Sequence, residues 1–294
     1  MSPREVSTLG ASPSEGTTLQ TLSRGLEVLD FVATGQGRAT AKSIASGVGL
    51  RTSTCYHILR TLRAEGYVVR VGSGTYDVGP RGGNLGHHLD FRFGPSPEIS
   101  ALLSRLNLRT QETAYVCGWY HGTIVMQQFI SGTRPVAVGR LDVGYSANLH
   151  ARASCKAVLA HLPHDIVETM FSDVPMAALT PHTITSYDEL AKQLAQVRKL
   201  GYSLDLEEFS EGVCCISAAY FNADGRPMGS FTVSVPASRL SVVRGTLATE
   251  VMETASLATN LLRTGRLAIR EQGSPITVER NPRSRRTASE GSTK

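Results

Sequence analysis

Arg51-Thr52-Ser53-Thr54-Cys55-Tyr56-His57-Ile58-Leu59-Arg60-Thr61-Leu62 decides how the first part of the chain folds. Cys55, Ile58, Leu59 and Leu62 recur at i, i+3, i+4 and i+7, the spacing of one buried helical stripe. Thr52, Ser53, Tyr56, His57 and Arg60 fall on the other faces. Upstream, Ala41, Ile44 and Ala45 predict a short helix over about 40–47, closed by Gly47 and Gly49. Before it, Leu22, Leu26, Leu29 and Val32 predict a helix with Thr21 or Ser23 as its cap and Gly35 and Gly37 at its end. Downstream, Tyr67–Val71 and Thr75–Val78 flank Gly72-Ser73-Gly74, the pattern of a two-stranded hairpin. Helix, short helix, glycine turn, helix and hairpin follow one another in the order of a winged helix-turn-helix.

Charge bears on what such a module touches. Residues 38–70 carry Arg38, Lys42, Arg51, Arg60, Arg63 and Arg70 against the single acid Glu65. Over the whole chain 30 basic residues outnumber 25 acidic ones, for a net +5. The stretch 95–265 reverses the balance, with thirteen basic residues against fifteen acidic. A compact basic segment beside a larger, slightly acidic one predicts a polyanion-binding module joined to a part that leaves the polyanion alone. The third helix suits duplex DNA: Arg51, Thr52, Ser53 and Thr54 at its start meet phosphates, and Tyr56, His57 and Arg60 reach base edges in the major groove. Arg70 then sits beside the backbone or minor groove. A winged helix of the same core that binds proteins is the competing reading.

With 294 residues, 41% of them apolar and 19% charged, the chain has material for two domains and at least one sizeable core. No apolar run is long enough to span a membrane, and Met1 to Thr18 lacks the apolar segment of a secretory signal. Cys55, Cys117, Cys155, Cys214 and Cys215 form no CxxC pair and are odd in number, which disfavours a disulfide framework and predicts a reduced cytoplasmic protein. The expected organisation is a flexible lead over 1–18, the winged helix-turn-helix over 19–79, a linker over 80–95 with a short helix between Asn84 and Phe91, a second domain over 96–265, and a disordered basic tail over 266–294.

That second domain alternates strand and helix signals. Thr113–Trp119, Thr123–Ile130, Pro135–Arg140, Val213–Phe221 and Met228–Val235 read as strands. Helices are expected from Ile99 to Leu106, from Ala153 to Leu162, after the cap Ser186, and through Leu247, Val251 and Leu261. The fold class is α+β, with helices segregated around an antiparallel sheet.

Several stretches in the right order resemble IclR-type transcriptional regulators. They include Leu22–Leu29, Gly49–Thr54, Leu62–Val68, Leu149–Ala160, Gly201–Asp205, Glu207–Phe209, Gly212–Ile216 and Val233–Leu240, and the similarity spans about residues 20–263. The resemblance implies a GAF-like effector domain behind the winged helix, a homodimer or homotetramer, and a pseudo-palindromic double-stranded DNA operator. It also implies a small-molecule signal, often a carboxylate, aromatic acids included. Position by position, it carries the effector site onto Ala153, Ser154, Asp205, Cys215, Thr232 and Ser234, with Val136, Gly139 and Ala147 on a flanking loop. The chain departs from the family at Ala153 and Cys155, where Gly is frequent, at His57, where Arg is frequent, and at Asn148, where Pro is common. Arg152 adds bulk and charge beside the site.

Physical chemistry gives these positions a rationale. A helix start at Ala153-Ser154 offers unpaired N–H groups to a carboxylate. Thr232 and Ser234 point to one face of a strand, and Cys215 belongs to a neighbouring strand. Small polar residues also pack inside sheets without binding anything, and Asp205 serves equally to bond a ligand hydroxyl or to cap the turn after Gly201. A hydrolase using Cys215 with His150 as base has no spacing signature behind it. His87, His88, His161 and His164 form no metal set, and no phosphate or dinucleotide loop occurs, so neither cofactor nor metal is expected.

Overall fold

The computed structural model describes residues 19–266 except 73, 121, 135–142 and 173. Internal contacts divide the chain into one unit ending at Gly94 and another beginning at Pro95.

In the first unit, α1 (Gln20–Thr34), α2 (Ala41–Gly47) and α3 (Thr52–Ala64) precede the hairpin of β2 (Val68–Val71) and β3 (Thr75–Val78). Val28, Val32, Ile44, Cys55, Ile58, Leu59, Val68 and Tyr76 make their common core. The α3 stripe is buried as its spacing predicts. The α1 stripe is buried only at its C-terminal end: Val32 and, in part, Leu29 join Val28 against the core, whereas Leu22 and Leu26 are 61% and 55% exposed. Thr21 and Ser23, expected as caps, lie inside this helix, whose N-cap is Leu19. Thr40 and Ser43 cap α2 reciprocally. A short strand β1 (Ala39–Thr40) pairs with β3 and makes the sheet three-stranded, in the order β1-β3-β2. Gly66, at φ +74°, turns the chain from α3 into the hairpin. Gly79 then comes so close that a β-carbon there would lie 2.3 Å from the Gly66 carbonyl oxygen. The expected linker carries α4 (Pro80–Phe93), longer than the Asn84–Phe91 helix anticipated. Its Arg81 pairs with Glu65 at 3.0 Å and lies over the Tyr67 ring.

In the second unit a five-stranded antiparallel sheet runs β5-β4-β8-β7-β6, built from β4 (Thr113–Tyr120), β5 (Thr123–Ile130), β6 (Ser203–Leu206), β7 (Val213–Phe221) and β8 (Pro227–Pro236). One face is apolar: Ala114, Val116, Cys214, Ile216, Phe231, Val233 and Val235 pack with α5 (Pro97–Thr110) and α9 (Ala237–Arg263). The other face meets α6 (Ala153–Leu159). Tyr115, Cys117, Ile124 and Met126 share the core on that side with residues of α6, α7 (His164–Phe171) and α8 (Tyr187–Leu200). Ser186 caps α8 by accepting from the Glu189 N–H, and Gly201 ends it at φ +79°. Two expectations shorten or fall outside view: α6 stops at Leu159, and Pro135–Arg140 lies outside the described residues.

Candidate functional site

α3 displays its polar residues as a contiguous exposed face. Arg51, Thr52, Ser53, Tyr56, His57 and Arg60 are exposed, Thr54 is half-buried, and Cys55, Ile58 and Leu59 anchor the helix from behind. Arg51 makes no side-chain cap, so the first-turn amides of α3 stay available beside two hydroxyls. Arg60 Nη2 lies 3.1 Å from His57 Nδ1, which aligns the two long side chains side by side. Arg60, Arg63, Ala64, Val68, Val69 and Arg70 line a concavity of about 510 Å³ where α3 meets the hairpin. Three arginines on one concave surface form a cationic groove. Arg63, not singled out from the sequence, lines this groove as well; its place in the basic stretch, one turn beyond Arg60, was the available signal.

The second cluster lies on the sheet face under α6. Strand register puts Asp205 opposite Cys215 and Cys215 opposite Ser234; one rung over, Ser203, Ser217, Thr232 and Tyr115 align across four strands. Asp205, Cys215, Thr232 and Ser234 therefore share one face, as alternation requires. All four are buried. Cys215 Sγ lies 3.2 Å from Ser234 Oγ. Thr232 donates to Ser217 Oγ at 2.8 Å, and Ser217 donates to the Phe231 carbonyl. Asp205 Oδ1 accepts from the N–H groups of Glu208 and Phe209 at 2.8 and 3.3 Å. The turn it caps is the one after β6, not the one after Gly201. Burial pushes its carboxyl up to about 7, against the opposing pull of Lys156. Cys214 faces the opposite core, so the adjacent cysteines divide between the two faces.

Ala153 and Ser154 begin α6 directly over this face, and the helix has no side-chain N-cap. Ser203 donates to the Ala153 carbonyl at 2.7 Å and Ser230 to the Ser154 carbonyl at 2.9 Å, which fastens α6 to β6 and β8. Lys156, fully buried, donates to Glu208 at 2.6 Å and to Gln193 at 2.9 Å. Val136 and Gly139 lie outside the described residues. Ala147 enters through Arg152, whose Nη1 approaches the Ala147 and Tyr145 carbonyls at 3.4 and 3.5 Å. That arginine belongs to the cluster, yet the sequence reading left it out as a bulky neighbour.

His150 and Cys215 have separate partners. His150 Nε2 sits 3.0 Å from the Ala177 carbonyl, and burial drives the Cys215 thiol far up, which keeps it protonated. Among the described residues no group of three or more His, Cys, Asp or Glu is arranged to hold a metal ion, and no helix is long and apolar enough to cross a membrane.

Comparison with known proteins adds independent observations. Residues 21–72 match the model of the IclR helix-turn-helix domain, and residues 97–260 match that of the bacterial transcriptional regulator IclR C-terminal domain. The HTH-type transcriptional regulator BhcR of Paracoccus denitrificans is 33% identical over 238 residues, covering 80% of this chain and 84% of that protein. The crystal structure of Thermotoga maritima IclR covers 84% of this chain and 100% of its own, with a TM-score of 0.69 at 24% identity. An IclR homolog from Microbacterium hydrocarbonoxydans, crystallised with 4-hydroxybenzoate, covers 83% and 99% with a TM-score of 0.64 at 20% identity.

Proposed function

The chain belongs to the IclR family of bacterial transcriptional regulators, and from that premise we propose a regulator that acts in the cytoplasm on a pseudo-palindromic operator and answers to a small organic acid. The exposed polar face of α3 over its buried Cys55-Ile58-Leu59 stripe carries the DNA reading. Arg51, Thr52, Ser53 and Thr54 engage phosphates, Tyr56, His57 and Arg60 read base edges, and Arg70 contacts the backbone beside the hairpin. The protein works as a homo-oligomer, so two recognition helices meet half-sites about one helical turn, or a multiple of it, apart. Leu22 and Leu26, exposed four residues apart on α1, support self-association. Sedimentation velocity showing only monomers at micromolar concentration would remove that part.

The effector occupies the face shared by Asp205, Cys215, Thr232 and Ser234 under Ala153 and Ser154 at the start of α6, with Ala147 beside it. Hydroxyl, thiol and carboxyl groups on adjacent strands support a ligand with polar ends. The relative crystallised with 4-hydroxybenzoate supports an acid. The ligand shifts DNA affinity by binding one conformational state better than the other, and coupling cannot exceed that difference. A hydrolase built on Cys215 gains nothing from a thiol that is protonated and unpaired with His150.

Operator binding titrated against salt tests the first half. Affinity should fall steeply and linearly on a log–log plot as counterions are released, and a flat response would leave the cationic surface without a polyanion. For the second half, Ser234→Ala should weaken the effector response about tenfold with operator affinity preserved. An unchanged response would remove Ser234 from the site.

A further inference from the structure

Arg152 precedes α6 and is 4% exposed. No carboxylate among the described residues lies within 4.0 Å of its guanidinium; the acids of this unit that form ion pairs, Glu112, Glu208 and Glu250, are bound to other cations. Its hydrogen bonds are few and long: 3.4 and 3.5 Å to two carbonyls, and 3.7 Å to Cys117 Sγ. The Tyr145 ring lies 4.9 Å beneath the guanidinium. Around it stand Cys117, Cys155 and Tyr115. Burial pushes all three up, Cys117 to about 11, so none supplies a negative charge at neutral pH. A charge taken out of water is costly unless an opposite charge and good hydrogen bonds meet it. Here neither does.

Resting on the effector reading above, we propose that Arg152 is the cation of the effector site and pairs with the carboxylate of a monocarboxylic acid whose remaining part packs against Tyr145 and Tyr115. The planar fork of Arg suits a bidentate carboxylate. One guanidinium among neutral groups balances one negative charge and no more. A second carboxylate on the ligand would meet Asp205, Cys215 and Ser234 at the other end of the face, where Lys156, the cation that acts on Asp205, is already paired with Glu208. A hydroxyl or other donor is what that end accepts. Tyr115 links the two ends, because its hydroxyl is within hydrogen-bonding reach of Cys215 and it feels the charges of both Arg152 and Asp205.

The test uses the full-length protein, wild type and Arg152→Gln, which keeps a polar chain and removes the charge. Thermal shift and calorimetric titration are run with benzoate, 4-hydroxybenzoate, pyruvate and terephthalate, and with 4-hydroxybenzamide as the uncharged match of one acid. Wild type should bind a monocarboxylate at least about thirtyfold more tightly than the amide or the dicarboxylate, and Arg152→Gln should lose that preference. The ligand-free variant should melt at or above the wild-type temperature, because it no longer buries an unbalanced charge. A ligand-free Arg152→Gln melting several degrees lower would assign the arginine to the fold, and equal acid binding by both proteins would also overturn its role while leaving the organic-acid reading standing. A wild type that ignores every acid, or binds the amide as well as the acid, would overturn both.

Discussion

On α3 the polar side chains stand in water, bonded to little besides one another; on the sheet face under α6 they are buried, and most are bonded to protein. Both surfaces present small hydroxyls and an arginine, yet they are built for different partners. An exposed Arg60 is cheap to leave without an opposite charge, which on the proposed function suits a large, highly charged surface. A buried Arg152 is costly to leave unpaired and, on the proposal above, selects a ligand small enough to reach it. Exposure, rather than residue type, separates a macromolecular interface from a small-molecule site.

Three substitutions sharpen or break that contrast. The largest effect is expected where buried charges are already matched. Lys156→Met strands Glu208 in the interior and should cost about 3–5 kcal/mol in denaturant unfolding of the second unit. A loss under 1 kcal/mol would mean that the interior tolerates unpaired charge, and the contrast would fail. Next comes Arg60→Ala, which should weaken operator binding by about 1–3 kcal/mol if it reads a base, or reduce the salt slope by about one if it holds a phosphate. Its melting temperature should stay at the wild-type value, since the side chain supports no core contact; unfolding would place Arg60 in the scaffold instead. The smallest is Asp205→Asn. The unfolded Asp205 ionises in the ordinary carboxylate range and the folded one near pH 7, so folding takes up a proton between those limits and wild-type stability falls as pH rises through them. Asp205→Asn removes that slope and should gain on the wild type from pH 5 to pH 8. Parallel stability profiles for the two proteins would exclude this buried, late-ionising carboxyl.

Much of the fold was legible because its signals are periodic. The α3 stripe, the hairpin about Gly72 and the cap at Ser186 each follow from local geometry. Periodicity does not say how far along a helix its stripe is covered: on α1, Val32 and in part Leu29 reach the core beside Val28, while Leu22 and Leu26 stay exposed. Short elements escaped for a related reason. β6 is four residues long and turns Ser203 and Asp205 inward, so its buried side reads as polar. α7 spans only His164–Phe171, with one fully buried apolar residue, Val167. For the candidate site, alternation was enough to put Thr232 and Ser234 on one face. Arg152 was not readable as part of it, because a lone arginine before a helix is ordinarily solvated; only the three-dimensional structure reveals that it is enclosed.

Ser203 and Ser230 clamp the first two carbonyls of α6 to strands on either side of β7. Helix and sheet are thus riveted together at the first turn of α6, and sliding the helix would break both bonds. What can yield is the stretch approaching the helix, where Tyr145 and Ala147 touch Arg152 through long bonds.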